Sequence, residues 1–228
     1  MKLLKKSIQL FIITLILTSC SSEDDDIISL IPPSNGDYEK GILITNEGPF
    51  STGTGTISYI SEDFNTVDDA IYNDVNESDL GNIVQSMGFS GNTAFIIINN
   101  SNKIEVVNRY TFENNATIIE GINNPRYFVN SGNYGYVSNW GDPFDETDDF
   151  ISVIDINTFQ IIKTIPVGLG PEKLVSFGEF IYVAHQGAYG QNNIVSVINT
   201  FTNEIETVIQ VGDVPNSMVL FDSDLYVL

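Results

Sequence analysis

The chain has 228 residues, of which 42% are hydrophobic and 11% aromatic, and these fractions exclude a disordered chain. Thirty Asp and Glu residues against nine Lys and Arg residues give a formal net charge of −21, so the surface repels phosphate backbones and nucleic-acid binding is excluded. A single cysteine excludes an internal disulfide framework and a cysteine-rich metal site.

Residues 1–19 have the features of a lipoprotein signal peptide. Three lysines in the first six residues precede an apolar run at 8–17, which is about half as long as a membrane-spanning helix needs to be. Residues 17–20, with the sequence LTSC, have the pattern of a bacterial lipobox, whose cysteine receives a diacylglycerol group. We therefore expect Cys20 to be lipidated.

Residues 20–37 form a predicted tether, in which SSEDDD follows Cys20 and PPSNG ends the segment. An acidic run of this kind is typical of a solvated linker, and it also resembles the surface-export signal behind the lipidated cysteine of Bacteroidetes lipoproteins. From Cys20 onward, six Lys and Arg residues stand against thirty Asp and Glu residues, a net charge of −24. We therefore expect attachment to the outer membrane only through the lipid, with the protein exposed at the cell surface.

Residues 38–228 contain a repeat of four short segments, which we label strands A to D. Pro125, Pro171 and Pro215 each begin a strand A, so the period is about 45 residues. The β-branched and aromatic runs, separated by Gly, Asn, Pro and Asp turns, predict an all-β fold, and four strands per repeat predict a β-propeller built from four-stranded antiparallel blades. A β-sandwich with accidental similarity is the alternative. The predicted segments are A at 126–129, 172–175 and 216–219; B at 94–98, 135–139, 180–184 and 225–228; C at 104–108, 151–155 and 195–199; and D at 116–119, 160–163 and 204–208.

The first and last predicted blades lack strands. Residues 41–45 and 56–60 match strands B and C, residues 70–75 match strand D poorly, and no strand A precedes them. We expect three four-stranded blades, one three-stranded piece and one two-stranded piece, with no amphipathic helix after the signal peptide. A ring of seven such blades would need on the order of 300 residues, so we expect this chain to hold an incomplete ring.

The candidate binding residues lie in loops that follow strand B or precede strand A. Both kinds of loop emerge on the same face of a four-stranded blade, and the B–C loops at 46–55, 139–149 and 185–193 are long, as binding loops on a rigid scaffold are. Polar and aromatic residues recur there and predict a rim around a ligand; the alternative is that they seal neighbouring blades. The candidate rim consists of Phe50, Arg126, Asn139, Trp140, Phe144, Lys173, His185 and Tyr189.

Three groups within these loops have competing interpretations. Arg126 and Lys173 either recognise an anionic group or pair with nearby carboxylates. His185, the only histidine, either hydrogen-bonds at a strand end or coordinates a ligand. The carboxylate-rich loop at 142–149 lacks the spacing of an EF-hand, so we predict solvated charge and no metal site. HExxH, GxSxG and Walker motifs and a Cys–His pair are absent from the sequence, so we assign no catalytic residue and no cofactor.

The segments YVSN at 136–139, YVAH at 182–185, ISVID at 151–155 and IPVG at 165–168 resemble the repeat of YVTN- and YncE-like propellers over residues 40–228. Residues 99–107, 124–126 and 139–141 also look like Bacteroidetes surface lipoproteins of this class, which include BtuG-type propellers that capture cobalamin. The resemblance implies a corrinoid-like nutrient as ligand and a TonB-dependent transporter as partner. A lactonase-like propeller enzyme and an adhesion or protein-interaction scaffold are the alternatives.

Overall fold

The structure is a computed structural model that describes residues 35–228. The predicted signal peptide, the predicted lipidation site at Cys20 and all but the last three residues of the predicted tether lie outside the described residues. Within residues 35–228, no helix is long and apolar enough to cross a membrane.

Seventeen strands in the described part form five antiparallel sheets, and the strands of each sheet follow chain order. This arrangement confirms the prediction of three four-stranded blades, one three-stranded piece and one two-stranded piece. The sheets are β1 (Gly41–Asn46), β2 (Thr56–Ser61) and β3 (Val67–Asp68); β4 (Val84–Ser90), β5 (Thr93–Ile98), β6 (Lys103–Asn108) and β7 (Asn114–Ile118); β8 (Pro125–Ser131), β9 (Tyr134–Asn139), β10 (Phe150–Asp155) and β11 (Gln160–Pro166); β12 (Pro171–Phe177), β13 (Phe180–His185), β14 (Ile194–Asn199) and β15 (Glu204–Gln210); and β16 (Met218–Phe221) and β17 (Asp224–Val227).

Residues 70–75 do not form a strand, so the prediction of a strand D in this segment is wrong. The prediction that no helix follows the signal peptide is also wrong. The short helix α1 (Ile71–Asn76) occupies the segment, and β3 takes the place of strand D by pairing with β2. Ala70 has a left-handed backbone with φ 59°, which turns the chain away from the sheet. Ile71 and Tyr72 are buried in the core cluster that also contains Ile57, and this burial stabilises one helical turn in a segment with weak local preference.

The A–B turns are two-residue hairpins with a left-handed first position. Gly91, Gly132 and Gly178 have φ values of 56°, 55° and 59° at this position, where glycine carries no steric penalty. These short A–B turns lie on one face of the blades. The long connections all lie on the opposite face.

The C–D turns repeat a side-chain device. The side-chain oxygens of Asn108, Asp155 and Asn199 each accept hydrogen bonds from the backbone N–H groups two and three residues later, at 2.8–3.4 Å. Such bonds stabilise turns independently of tertiary packing, so each blade closes this hairpin from its own sequence.

Strand A of each blade lies beside strand A of the next, since β4 neighbours β8, β8 neighbours β12, and β12 neighbours β16. The core between successive blades is apolar. The rings of Phe95 and Phe128 stack across one of these interfaces with centroids 4.3 Å apart. Glycines at 88 and 135 leave room for Phe128, since a Cβ at either position would lie within 2.4 Å of the ring. The neighbouring A strands therefore bring residues about 45 positions apart in sequence into direct contact.

Candidate functional site

The B–C connections carry the long loops, with one exception. The loops at 47–55, 140–149 and 186–193 follow β1, β9 and β13, whereas β5 and β6 are joined by only four residues at 99–102. The D–A loops at 119–124, 167–170 and 211–217 emerge on the same face. We call this surface the loop face.

Two exposed aromatic side chains from neighbouring blades meet on the loop face. Phe144 is 83% exposed and Tyr189 is 66% exposed, and their ring centroids are 5.2 Å apart with the planes inclined at 43°. We call these two residues the aromatic pair. Tyr189 also contacts the buried Trp140 edge-on, at 6.2 Å between centroids. The structure therefore brings together three of the predicted rim residues.

Phe50 is also exposed, at 71%. It lies in the 47–55 loop of the first sheet, where the side chain of Asn82 donates hydrogen bonds to the carbonyls of Pro49 and Gly53. Among the described residues, no ring contact joins Phe50 to the aromatic pair. Phe50 is thus a separate exposed aromatic on the loop face.

Trp140 rests on an ion pair that joins two blades. The guanidinium of Arg126 lies 4.0 Å from the centre of the Trp140 ring, and it forms a bidentate pair with Glu172 at 2.9 and 3.0 Å. Its third contact is a hydrogen bond of 2.6 Å to Oε1 of Gln85. The indole N–H of Trp140 donates to the carbonyl of Pro171 at 3.0 Å. Arg126 is fully engaged, which matches the carboxylate-pairing interpretation rather than the recognition of an external anion.

Glu172, the partner of Arg126, is not among the site residues predicted from the sequence. Burial raises the pKa of its carboxyl group, and the hydrogen bonds and charge of Arg126 act against that rise. A signal for this pair exists in the sequence, because Arg126 and Glu172 each follow the proline that begins a strand A. Equivalent positions on neighbouring A strands face each other, so opposite charges at them predict an inter-blade pair.

Lys173 has a different environment from Arg126. Its Nζ lies 4.9 Å from the ring centre of Tyr127, and within residues 35–228 it makes no ion pair. Burial raises the pKa of Tyr127, so this ring stays protonated and packs as an aromatic surface. Lys173 is therefore held by a cation–π contact at the start of β12, where strand A leaves the loop face.

Asn139 lies inside the blade at the end of β9. Its side-chain amide donates to the hydroxyl of Ser152 at 3.0 Å, and its oxygen accepts from the backbone N–H of Asn123 at 3.0 Å. Asn139 is completely buried. These bonds connect strand B to strand C and to the D–A loop before the blade, so the side chain fixes the base of the loop.

His185 occupies the equivalent end of β13 and is also completely buried. Nδ1 lies 2.9 Å from the carbonyl of Gly168 and Nε2 lies 2.9 Å from the hydroxyl of Ser196. A carbonyl only accepts, so Nδ1 carries the proton and Nε2 accepts from Ser196. Burial lowers the pKa of His185 to about 4, so the ring is neutral. His185 therefore hydrogen-bonds at the end of a strand, which is the first of the two interpretations drawn from the sequence.

Asp149 is buried, and the expectation of solvated charge is wrong for this residue of the 142–149 loop. It is 1% exposed, and its Oδ2 accepts from the backbone N–H of Gly170 at 3.0 Å. Its Oδ1 has no hydrogen-bond partner among the described residues. The pKa of Asp149 is raised to about 7, mainly by burial; the hydrogen bond from Gly170 acts against this rise, and the charges of Asp148 and Asp145 contribute to it.

Gly170 connects this carboxyl group to the loop that carries Tyr189. Its backbone has a φ of 65°, and its carbonyl accepts from the N–H of Gln186 at 3.0 Å. A Cβ at this position would lie 2.0 Å from the backbone nitrogen of Ala188. The D–A loop and the following B–C loop are thus in backbone contact, which positions Tyr189 relative to Trp140.

In residues 35–228, no group of three or more His, Cys, Asp and Glu side chains is arranged to hold a metal ion. The arrangement on the loop face is instead a pair of exposed rings on a buried, hydrogen-bonded base. Rings held in this way offer contact area at little entropic cost, which is the physical basis of a binding surface.

Residues 40–227 match the sequence family described as "Domain of unknown function (DUF5074)". No curated protein matches the chain. Solved structures share its fold. Kuenenia stuttgartiensis hydrazine synthase is 15% identical, with 80% of this chain and 49% of that chain covered and a TM-score of 0.61. BamB from Moraxella catarrhalis is 14% identical, with 84% of this chain and 53% of that chain covered and a TM-score of 0.57. The Neurospora crassa Pan2 WD40 domain is 13% identical, with 82% of this chain and 52% of that chain covered and a TM-score of 0.58.

The chain spans about half the length of each of these structures. At such low identity the likeness shows the fold alone, a β-propeller of four-stranded blades. This fold is consistent with a scaffold for ligand binding or protein interaction.

Proposed function

The chain belongs to this family, the domain of unknown function DUF5074, and we propose that it is a binding protein whose ligand contacts the loop face. The observation that carries the proposal is the aromatic pair. Phe144 and Tyr189 remain exposed although the residues beneath them are buried, ion-paired and hydrogen-bonded. Large exposed aromatic rings on a rigid base are costly in water and typical of an interaction surface.

The sequence supports a more specific version of this proposal. In it, Cys20 carries a lipid anchor, the protein faces outward from the outer membrane, and the propeller passes a corrinoid-like nutrient to a TonB-dependent transporter. The supports are the lipobox pattern, the acidic run behind Cys20 and the resemblance to BtuG-type propellers. Each support comes from the sequence rather than from the loop-face geometry.

Titration calorimetry of the purified protein with cyanocobalamin tests the ligand. We expect binding with a dissociation constant in the micromolar range or below, and a loss of at least tenfold in the variant with both Phe144→Leu and Tyr189→Leu. Phe201→Leu is the matched control, since Phe201 is an exposed ring in the β14–β15 turn on the opposite face. A protein that gives no binding heat with cyanocobalamin at micromolar concentration would rule out the corrinoid version.

Two measurements on cells test the location. Radiolabelled palmitate should enter the wild-type protein and not the Cys20→Ala variant. Protease added to intact cells should digest the protein if it faces outward. Labelling of Cys20→Ala, or full protection of the wild-type protein in cells whose outer membrane is intact, would contradict this part of the proposal.

A further inference from the structure

We propose that the aromatic pair receives Lys or Arg side chains presented by a segment of a partner protein. The inference rests on the proposed function, because it assigns the chemistry of a partner that contacts the same loop face. It is carried by the geometry of the two rings, by the charge around them and by their exposure.

The two rings lie side by side on the surface. Their centroids are 5.2 Å apart and their planes are inclined at 43°, so the rings touch each other and a cation stacks on a solvent-exposed ring face of the pair rather than between the two rings. Ring faces attract cations because of the aromatic quadrupole. The same region already holds one such contact, since the guanidinium of Arg126 lies 4.0 Å from the Trp140 ring.

The charge next to the pair is negative and uncompensated. Asp142, Asp145 and Glu146 lie in the same loop as Phe144, and all three are exposed. Asp142 and Asp145 accept hydrogen bonds from N–H and hydroxyl groups of their own loop, but no Lys or Arg among the described residues pairs with any of the three. A cationic partner is therefore favoured by both the rings and the field.

The two loops that carry the aromatic pair, at 140–149 and 186–193, contain no Lys or Arg. No Lys or Arg lies between Arg126 and Lys163, and none follows Lys173. Arg126 is occupied by Glu172, and Lys173 is held against Tyr127. The charged residues of these two loops are thus all carboxylates, and all of them lie in the loop of Phe144.

The exposure of the pair distinguishes a protein segment from a small free cation. Phe144 and Tyr189 are 83% and 66% exposed, and a single cation–π contact at such an exposed site contributes only about 0.5–1 kcal/mol. One ammonium or guanidinium ion would therefore bind weakly. A segment that carries several cations adds contacts to the neighbouring carboxylates and gains the affinity that a single ion lacks.

The test uses a fluorescent peptide of alternating Arg and Gly, and a second peptide in which citrulline replaces every Arg. Citrulline keeps the shape of the side chain and removes its charge. Anisotropy titrations at low salt should show binding of the Arg peptide and at least tenfold weaker binding of the citrulline peptide. The emission of Trp140, the only tryptophan in the chain, should change when the Arg peptide binds, since Tyr189 contacts it.

The variants separate ring contacts from general attraction to an acidic protein. We expect Phe144→Leu to weaken the Arg peptide about threefold, and Phe144→Leu with Tyr189→Leu to weaken it about tenfold. Glu146→Gln should cost about twofold, and Phe201→Leu should leave the affinity unchanged. Because Phe144 is the most exposed of these rings, the single variant remains folded and informative even if the double variant is destabilised.

Three results would overturn the inference. The first is equal affinity for the citrulline and Arg peptides, and the second is unchanged affinity in Phe144→Leu. The third is free arginine or choline binding as tightly as the peptide, which would make a small cation the ligand. A wild-type protein that binds cyanocobalamin but not the Arg peptide would refute this inference alone. A wild-type protein that binds the Arg peptide but not cyanocobalamin would refute only the corrinoid version of the proposed function.

Discussion

Asp149 is a residue at which burial and charge are in direct conflict. In the folded chain its pKa is raised to about 7 from an ordinary value of 3.8. Between these values the folded state holds a proton that the unfolded state has lost, so the free energy of unfolding decreases as pH rises from about 4 to about 7, with a slope of about 1 kcal/mol per pH unit. Above about pH 7 the carboxylate is charged in both states, and the free energy of unfolding is lowered by the full cost of burying that charge.

We therefore predict that Asp149→Asn raises the free energy of unfolding at about pH 8 and changes it little at about pH 4. The amide oxygen still accepts from Gly170, and no charge is buried. Urea unfolding at both pH values measures the difference. Glu146→Gln is the control, because Glu146 is an exposed carboxylate in the same loop; a variant of Asp149 with unchanged stability at the higher pH would contradict the assignment of a buried charge.

His185 gives the opposite pH dependence. Its pKa is lowered to about 4 from 6.5, so between these values the unfolded state binds the extra proton. Stability from the neutral, hydrogen-bonded ring is complete above about pH 6.5 and is lost as pH falls towards 4. The slopes of Asp149 and His185 have opposite signs in this window and largely cancel.

We predict that His185→Asn removes the loss of stability on the acid side and so exposes the slope of Asp149. Asparagine is the replacement that the repeat itself suggests, since Asn46, Asn99 and Asn139 occupy the equivalent position at or directly after the end of strand B. In thermal unfolding, the variant should gain stability relative to the wild type as pH falls from about 6.5 to about 4.5. A relative loss of stability on acidification would refute the neutral state of His185.

At the scale of elements, the loop face depends on the backbone contact between a D–A loop and the next B–C loop. Gly170 has a φ of 65° and touches the backbone at Ala188, whereas Gly132 has a φ of 55° and would meet nothing within 4 Å if it carried a Cβ. An alanine would adopt a similar left-handed backbone at both positions but would find free space only at position 132. They form a matched pair.

We predict that Gly132→Ala costs about 1 kcal/mol, the conformational term alone, and that Gly170→Ala costs at least about 2 kcal/mol more because the loops must separate. Urea unfolding measures both. Gly170→Ala should also shift the emission of Trp140, since the loop that carries Tyr189 would move. Equal costs for the two substitutions would show that the loops are not held by this contact.

The strands could be predicted from the sequence because each blade repeats its own local signals. Turn glycines, the Asn and Asp turn residues and alternating apolar residues act within about ten residues of each other, and they predict strands β5 to β17 but not β4. The helix α1 could not be predicted in this way. Its Ile71 and Val75 favour a strand as much as a helix, and burial against Ile57 decides between them.

The position of the loop-face aromatic residues could be predicted from the sequence, whereas the buried residues beneath them could not. Loop length and recurring aromatics placed Trp140, Phe144 and Tyr189 on one face, as the structure does. Asp149 ends a run of acidic residues, and nothing local distinguishes it from its solvated neighbours. Its burial follows from the contact with Gly170, which the sequence does not show until neighbouring blades are packed.

At the scale of the described unit, stability comes from apolar contacts between blades and is opposed by charge. Phe95, Phe128, Val137 and Ile154 belong to one buried cluster shared by the second and third sheets. The third and fourth sheets share another, with Tyr136, Ile151 and Leu174. Each blade covers the apolar face of the next, so the sheets depend on one another for burial.

Repulsion among carboxylates opposes this stabilisation. Residues 35–228 hold twenty-six Asp and Glu residues and six Lys and Arg residues, and three ion pairs join charges within this part of the chain. We predict that added NaCl raises the melting temperature, with most of the rise complete by about 0.5 M because the Debye length is then only a few ångströms. KCl should act equally, since screening depends on ionic strength and not on the identity of the cation. A melting temperature that is constant or falls with NaCl would show that the carboxylates do not repel one another enough to affect folding.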